Sequence, residues 1–501
     1  RHAGVGADEL ERPVAQVAKQ VARQDEAIVL KSFYLFKKES KTYTLGKAIL
    51  AKAGIDPDEE TFQVLVKLGV FDKNENTDLY KYHISASFPE NVMQSATGLT
   101  DLQQDFSDDP MRKDLTGLSL MTIDGQATLD FDDAISIEDH GDYYHLGIHI
   151  IDVGHFIKKG DLIDQEALVR GSSIYMPDQK ISMIPACLAE NLCSLKAGQL
   201  RPAISIMVKL SKLCEIIDYE ILPSLIRVEH QLTYYDVNII AKDSKEIIIL
   251  LDIAEQFRQN RMAAGAVQIT LPDINVWLDE NNEVTVNKVN RESPGRMLVS
   301  EIMIMANWLM AKFLAEHNAP AIYRSQIAPR ERLYKGTEGS LFQNCMQRRL
   351  LSRFVLNSEP EHHSGLGLDA YVTATSPIRK YFDLATQRQI RAVLGLEKPY
   401  TIKEIDNIIQ VLEVPMSCVS KLQFNRHRYW LLKYLEKRIG QKEEAVVLYK
   451  KRNTYHIVIS EYMIECELPL SSGIDLKPED LIQITIQHVN ARKNVLSVFM
   501  G

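Results

Sequence analysis

Residues 122–135 read TIDGQATLDFDDAI, and they place Asp124, Asp130, Asp132 and Asp133 within ten positions of one another. Apolar residues are interleaved with these aspartates, which indicates a segment anchored in a core and not a fully solvated acidic loop. Carboxylates about 4 Å apart repel by roughly 4 kcal/mol per pair at an effective dielectric near 20. We therefore expect a cation among them, and Mg²⁺ is a hard ion that prefers such oxygen ligands.

The spacing of the four aspartates predicts how they meet. Asp124 is expected to end a strand, and Asp130 and Asp132 face one side of an extended chain because side chains alternate along it. A turn is needed to bring Asp133 into the same pocket. Such a cluster suits two-metal phosphodiester hydrolysis. The spacing excludes an EF-hand, but a structural calcium site or a plain acidic turn remains open from these residues alone.

The composition is typical of a multi-domain globular protein. A chain of 501 residues with 45% hydrophobic and 25% charged residues predicts about two to four domains. The net charge of −9 argues against nucleic acid as a partner, but residues 415–440 hold six basic residues and one acidic residue. This run favours either local positive potential or a solvated helix face.

Nothing in the sequence predicts a membrane or secreted protein. The longest apolar run, residues 302–311, is shorter than the ~18 residues of a spanning helix and predicts a buried helix. Residues 1–10 show no signal peptide, so a cytoplasmic location is expected. The six cysteines have no CxxC or zinc spacing and are expected to be inert core thiols.

The pattern of apolar residues predicts an α+β multi-domain chain. Residues 1–97 predict three helices (26–38, 45–53 and 59–68) and a hairpin (70–71 with 79–85), the outline of a winged helix-turn-helix. An acidic linker is expected at 98–114, and a catalytic domain at 115–440 with strands at 267–271 and 284–289 and helices at 297–317 and 402–439. Five short strands within 441–501 predict an OB-type barrel, a fold that binds single-stranded nucleic acid.

A second candidate segment lies far downstream, where residues 365–388 read GLGLDAYVTATSPIRKYFDLATQR. Arg379 is a candidate phosphate clamp, because a guanidinium presents a planar fork of donors to phosphate oxygens. A helix-start arginine in a salt bridge is the alternative interpretation. The glycines before it suggest close approach of the backbone to a ligand.

Together the two segments resemble the ribonuclease II / ribonuclease R (RNB) family, whose hallmarks look like TID…D.DDAI and GLGL..Y…TSPIR.Y.DL. Further matches follow in the same order, and the resemblance covers roughly residues 115–440. It implies processive hydrolysis of single-stranded RNA from the 3′ end, with release of nucleoside 5′-monophosphates. The C-terminal barrel resembles an S1 domain.

The resemblance also implies roles for individual residues. Asp124 and Asp133 would bind Mg²⁺, or Mn²⁺ in its place, with Asp130 and Asp132 completing the metal and 3′-end environment. Arg379 would contact the scissile phosphate. Six further residues are expected to contact RNA: Tyr175, Tyr323, Arg324, Ser376, Lys380 and Arg388.

Tyr175 matches a family aromatic residue that holds the terminal nucleotide by stacking, an interaction that tolerates any base. Judged from the sequence alone, without the resemblance, it is an ordinary buried tyrosine. The expected partner is single-stranded RNA. The protein is expected to be a monomer and not to bind a membrane.

Several positions depart from the family pattern. Typical members carry two cold-shock domains where residues 1–97 predict helices, and Gln326, Ser364 and Gln387 replace aromatic or histidine residues. These changes affect substrate fit more than the reaction. Two other functions stay open: a catalytically silent RNA-binding or regulatory protein on the same scaffold, and a DNA-binding regulator built on residues 1–97.

Overall fold

The computed structural model describes residues 24–58, 60–101, 109–336, 339–470 and 475–501. The chain divides into two compact units, Arg1–Ser87 and Phe88–Gly501. The first unit is helical and the second combines helices with two larger sheets. The α+β class is therefore confirmed.

The first unit packs four helices around Leu30, Leu50, Leu65 and Phe71. The helices are α1 (Gln24–Phe36), α2 (Tyr43–Lys52), α3 (Thr61–Lys67) and α4 (Thr77–Lys81), with a 3-10 turn at Lys37–Glu39. The first three were predicted.

The predicted hairpin of this unit is wrong. The segment expected to form its second strand overlaps the end of α4, and the described residues of the unit contain no strand. Glu75 explains the difference, because its carboxylate accepts hydrogen bonds from Asp72 N and from Tyr80 Oη, at 3.0 and 2.9 Å. These bonds close a turn that leads into a helix, and Tyr80 then packs against Phe71 with ring centroids 5.8 Å apart.

A seven-stranded sheet organises the second unit, in the order β1-β8-β7-β4-β3-β2-β9. The pairs β1–β8 and β2–β9 are parallel and the others are antiparallel. Helices cover both faces, which explains why its strands are apolar over long runs. The strands are β1 (Lys113–Asp114), β2 (Leu120–Asp124), β3 (Asp133–Asp139), β4 (Tyr143–Ile151), β7 (Leu200–Ser211), β8 (Ile216–Arg227) and β9 (His230–Thr233), with a separate pair β5 (Ile174–Tyr175) and β6 (Lys180–Ile181).

The helices around this sheet are α5 (Glu90–Asp101), α6 (Val153–Phe156), α7 (Leu162–Arg170), α8 (Tyr234–Ile240), α9 (Lys245–Ala263), α10 (Pro294–Glu316), α11 (Leu341–Leu350), α12 (Tyr381–Val393) and α13 (Ile402–Glu436), with a π-helical turn at Leu188–Leu192. Two small hairpins accompany them, β10 (Asp273–Leu278) with β11 (Val284–Val289) and β12 (Tyr323–Ser325) with β13 (Val355–Asn357). Val92 and Ala96 of α5 belong to the core on one face of the sheet. The proposed linker at 98–114 includes residues 102–108, which lie outside the described residues, and the finer domain boundaries stay a proposal.

Helix α10 is long and apolar enough to cross a membrane by length and composition alone, but 56% of its most apolar window is buried inside the protein. Ile302, Met305 and Leu309 are at most 1% exposed and pack against the sheet. The prediction of a buried helix at residues 302–311 is confirmed.

The strand predicted at residues 267–271 is wrong. This segment belongs to no strand. Val267 N donates to Gly365 O at 3.0 Å, and Thr270 N donates to the side chain of Asn344 at 2.8 Å. These backbone groups are therefore hydrogen-bonded individually, to a loop at Gly365 and to a helix at Asn344, and not to a strand.

The C-terminal sheet has five antiparallel strands in the order β16-β15-β14-β17-β18. They are β14 (Lys442–Lys450), β15 (Thr454–Ile459), β16 (Ile464–Pro469), β17 (Leu481–Asn490) and β18 (Val495–Met500). All five were predicted. The sheet curls into a nearly closed barrel around its own apolar core, and α13 leads into it from the larger domain.

Candidate active site

The sheet brings the two ends of the acidic segment together. Asp124 ends β2, Asp133 begins β3, and these strands are antiparallel neighbours. The connecting loop is held by Ser194, whose hydroxyl donates to Leu129 O and accepts from Phe131 N, both at 3.0 Å. The loop is therefore held through its backbone, and the apolar Ile123 and Ile135 at its two ends are buried as the sequence predicted, whereas Leu129 is 52% exposed.

Asp130 is 8% exposed and is held by two donors. Its carboxylate accepts from Tyr175 Oη at 2.8 Å and from Lys180 Nζ at 3.0 Å. Lys180 also contacts Glu190 at 3.0 Å. Sequence reasoning missed Lys180, because no motif surrounds it and only the fold brings it to the acidic segment.

Asp132 is 5% exposed and joins the two candidate segments. Its carboxylate accepts from Ile378 N at 3.0 Å and from Arg379 Nε at 3.1 Å. Arg379 also donates through one terminal nitrogen to Ser376 Oγ at 2.8 Å. Its side chain is 40% exposed, and its other terminal nitrogen has no partner among the described residues, so donors remain available for a phosphate.

Asp124 and Asp133 differ from the other two aspartates. Neither carboxylate has a hydrogen-bond or ion-pair partner among the described residues, and Asp124 Oδ2 is buried. Burial raises the pKa of Asp124 to about 6, with Arg379 lowering it and Asp130 raising it. Burial raises the pKa of Asp133 well above its usual range, and Asp124 and Asp132 raise it further.

This arrangement fits a divalent cation. Burial also raises the pKa of Asp132 to about 7, although Arg379 opposes the shift, so neighbouring protein cations do not compensate the buried carboxylates. Mg²⁺ typically takes one or two carboxylates and completes its shell with water and substrate phosphate. Asp124 and Asp133, which accept no hydrogen bond from the described residues, offer such a pair of oxygen ligands.

Tyr234 is a second residue that sequence reasoning missed. Burial and the charges of Asp124 and Asp133 raise the pKa of Tyr234 to about 12. It lies here because Thr233, which pairs in register with Asp124, begins α8 with a capping box. That capping pattern is visible in the sequence, but the pairing of β2 with β9 is not.

The other predicted residues divide into two groups. Ser376 is buried beside Arg379, Tyr175 is 41% exposed, and Arg324 lies 3.6 Å from the ring centroid of Phe354. Tyr175 is thus not an ordinary buried tyrosine. Lys380 is partly exposed at the start of α12.

Tyr323 and Arg388 are each 1% exposed. Arg388 donates to Asp164 at 2.7 Å and to Tyr400 Oη at 3.0 Å, so its charge is neutralised by a carboxylate inside the core. Neither side chain presents a surface to an RNA strand. We therefore assign both of them to packing.

The three departures from the family pattern also lie in packed positions. Gln387 donates to Ile151 O at 2.7 Å, and Gln326 donates to Ser352 O. Ser364 is 5% exposed. None of the three contacts the four aspartates through the hydrogen bonds of the described residues.

Three of the six basic residues in the run at 415–440 pair with carboxylates. Arg426 pairs with Asp178, Lys437 with Glu283, and Lys433 with Glu436. The interpretation as strong local positive potential is therefore weakened.

We expect Mg²⁺ to stabilise the protein much more at pH 8 than at pH 5.5. Raised carboxylate pKa values favour the folded metal-free state at low pH, and that contribution is lost as the pH rises through about 6 for Asp124 and about 7 for Asp132. Protons and metal therefore compete for these carboxylates. Saturating Mg²⁺ should raise Tm by roughly 2–5 °C at pH 8 and by less than about 1 °C at pH 5.5. Asp124→Asn should lose the shift at pH 8, and equal shifts at both pH values would contradict the assignment.

Two family models match parts of the chain. A family model described as the RNB domain matches residues 112–395, which is more than half of the chain. The chain belongs to the RNB family. The family resemblance and the class of hydrolytic exoribonuclease predicted from the sequence are thereby confirmed. A second family model, a double HTH domain, matches residues 7–77, within the segment predicted to form a helix-turn-helix domain.

Two RNB relatives align over most of the chain. An uncharacterized ribonuclease of Synechocystis is 30% identical over 479 residues, covering 93% of this chain and 71% of the relative. Ribonuclease R of Chlamydia trachomatis is 29% identical over 483 residues, covering 86% of this chain and 69% of the relative.

Solved structures share the fold at lower identity. The Dss1 exoribonuclease of Candida glabrata, an active-site mutant, superposes with a TM-score of 0.81 at 19% identity, covering 99% of this chain and 70% of that one. Mycoplasma genitalium RNase R in complex with ribose-methylated single-stranded RNA superposes with a TM-score of 0.75 at 18% identity, covering 85% of this chain and 77% of that one. Yeast Ssd1, a pseudonuclease, superposes with a TM-score of 0.67 at 16% identity, covering 83% of this chain and 58% of that one. The fold is therefore shared by proteins with and without nuclease activity.

Proposed function

We propose that this RNB protein degrades single-stranded RNA processively from the 3′ end to nucleoside 5′-monophosphates, in a reaction that requires Mg²⁺. One observation carries the proposal: among the described residues, Asp124 and Asp133 have no hydrogen-bond or ion-pair partner, and the neighbouring Arg379 has donors without a partner. This arrangement supplies one place for a cation and another for a phosphate. Mn²⁺ is expected to replace Mg²⁺, because both are oxygen-preferring ions.

Asp124 and Asp133 would hold the ion. A bound divalent ion would supply charge neutralisation at the phosphate and an acidified water. Arg379 binds the scissile phosphate through its unpaired donors, and Asp132 fixes the guanidinium by accepting from Nε. Ser376 Oγ holds a second nitrogen of the same group, so the fork is oriented before substrate binds.

Tyr175 and Asp130 form the other side of the proposed site. The bond from Tyr175 Oη to Asp130 fixes the ring while 41% of the side chain stays exposed. A fixed and accessible ring is suited to stacking on the terminal base. Lys180 neutralises Asp130 from the opposite oxygen, so Asp130 positions Tyr175.

We expect Tyr175→Ala to lower kcat/KM on single-stranded RNA by roughly 5- to 150-fold, the value of one base–aromatic stack of about 1–3 kcal/mol. Tyr175→Phe keeps the ring and loses only the bond to Asp130, so its loss should be smaller. Single-turnover assays on a labelled RNA measure both variants. Equal losses in the two variants would assign the effect to the hydroxyl and contradict stacking.

Direction and products are tested with two RNAs of one sequence, one labelled at the 5′ end and one at the 3′ end. The proposal expects the 3′ label to be released at once as a mononucleotide, with 5′-labelled full-length RNA giving only a short end product. Excess unlabelled RNA added after the start should not stop strands already bound. Activity without added divalent ion in a chelator, or internal cleavage products, would contradict the proposal.

The remaining expectations belong to the same proposal. Single-stranded RNA is the partner, the C-terminal barrel acts as an S1-like RNA-binding domain, and the protein acts as a monomer in the cytoplasm. The barrel fold supports an RNA-binding role because such barrels bind single strands along one face.

A further inference from the structure

The far end of the hairpin formed by β3 and β4 carries a second group of potential metal ligands. Glu138 lies near the end of β3, His140 lies in the turn, and His145 is directly opposite Glu138 in register. Their ligand atoms all lie within 4.8 Å of one another, the one such trio found among the described residues. Asp133 begins the same strand, about 16 Å away at ~3.3 Å per residue.

The distances are close to those of a tetrahedral site. Glu138 Oε2 lies 3.7 Å from His140 Nε2 and 3.5 Å from His145 Nδ1. Zinc bonds of about 2.0–2.2 Å place neighbouring ligand atoms about 3.3 Å apart in tetrahedral geometry. Small side-chain rotations therefore suffice to bring the three donors onto one ion.

The turn holds these donors in place. His140 N donates to Tyr143 O at 3.0 Å, and the His140 ring stacks on Tyr143 with centroids 4.8 Å apart. Gly141, at a φ of 84°, donates to Asp139 at 3.0 Å and closes the turn. The orientation of His140 is thus fixed without an ion.

The surrounding charges leave Glu138 facing the two imidazoles. Asp139 is paired with Lys212 and Lys245. Lys209 is opposite His145 in register, but its ammonium lies 4.4 Å from the ring centroid of Tyr143. Among the described residues, the ion-pair partners of Glu138 are His140 and His145 alone.

We propose that Glu138, His140 and His145 form a surface site for a zinc-class divalent transition ion, separate from the aspartate centre. Imidazole nitrogen suits Zn²⁺, whereas carboxylate, carbonyl and water suit Mg²⁺, so the two sites differ in the ion they select. The side chains are 42%, 41% and 30% exposed, which leaves room for water as a fourth ligand. The ion joins β3, the turn and β4.

The test is calorimetric titration of the full chain with Zn²⁺ in excess Mg²⁺, which keeps the aspartate centre occupied. We expect a Zn²⁺ site with Kd of about 10 μM or tighter. His140→Gln and His145→Gln should each weaken it by at least ~10-fold. His230→Gln is the matched control, because His230 is an exposed histidine 3.9 Å from Glu229 and outside the trio, and it should bind as the unaltered protein does.

Co²⁺ gives an independent readout, since nitrogen ligands in tetrahedral geometry produce visible absorption that the two histidine variants should lose. Melting in a chelator checks that these surface variants fold. Unchanged Zn²⁺ affinity in both histidine variants would overturn the proposal. RNA hydrolysis in Mg²⁺ should be unaltered by His145→Gln, so failure of this site leaves the proposed function untouched.

Discussion

Asp132→Asn is expected to lower RNA hydrolysis by about three orders of magnitude while RNA affinity changes less than roughly threefold. Asn keeps an acceptor for Ile378 N, but the amide nitrogen that replaces Oδ2 cannot accept from Arg379 Nε. The guanidinium keeps its bond to Ser376 Oγ but loses the second contact that fixes its orientation, and the site loses one of its negative charges. The change is isosteric, so the fold should be retained.

Single-turnover hydrolysis of a labelled RNA measures the rate, and fluorescence anisotropy measures binding. Asp142→Asn, at an exposed position in the turn after β3, is the matched control and should hydrolyse RNA normally. Turnover within tenfold of the unaltered protein would remove Asp132 from the mechanism. Parallel loss of binding and hydrolysis would instead indicate a role in holding RNA.

Arg379→Ala is expected to lower kcat by about 10²–10³-fold, because it removes the donors that meet charge developing on the phosphate. Asp132 would also lose a charged partner at 3.1 Å. Arg379→Lys keeps the charge without the planar fork and should recover only part of the rate. Arg227→Ala, at an exposed arginine that ends β8, controls for loss of positive charge.

Steady-state kinetics over a range of RNA concentrations separate the effects of Arg379 on kcat and KM. A rise in KM at constant kcat would show that Arg379 only binds substrate. Full activity in the lysine variant would show that charge alone suffices, contrary to the two-point contact of the guanidinium with Asp132 and Ser376.

Local patterns predicted much of the fold. Helical spacing located α1 to α3, α10 and α13, and short strand-like runs separated by turns located the five strands of the C-terminal barrel. Two errors share a cause. The hairpin expected around residues 70–85 became a helix through Glu75, and the strand expected at 267–271 is satisfied by Gly365 and Asn344. In both places side-chain groups or distant backbone groups form the hydrogen bonds of the local backbone, and the spacing of apolar residues does not indicate such partners.

The sequence by itself determined the order and types of four carboxylates and one arginine that match the RNB family, and from that match we predicted that they serve one chemistry. Only the tertiary structure decided which of these carboxylates has a protein partner and which does not. Asp130 accepts hydrogen bonds from Tyr175 and Lys180, and Asp132 accepts one from Arg379, whereas Asp124 and Asp133 have no such partner in the part of the chain that the structure describes.

The physical reason is that a hydrogen bond depends on distances between atoms far apart in the chain. Asp132 and Arg379 are separated by 247 positions, and Asp130 and Lys180 by 50. The pairing of β2 with β9 likewise brings Tyr234 to the aspartates. These neighbours exist only once the sheet has formed, so residue order predicted the chemistry and the fold assigned each carboxylate its partner.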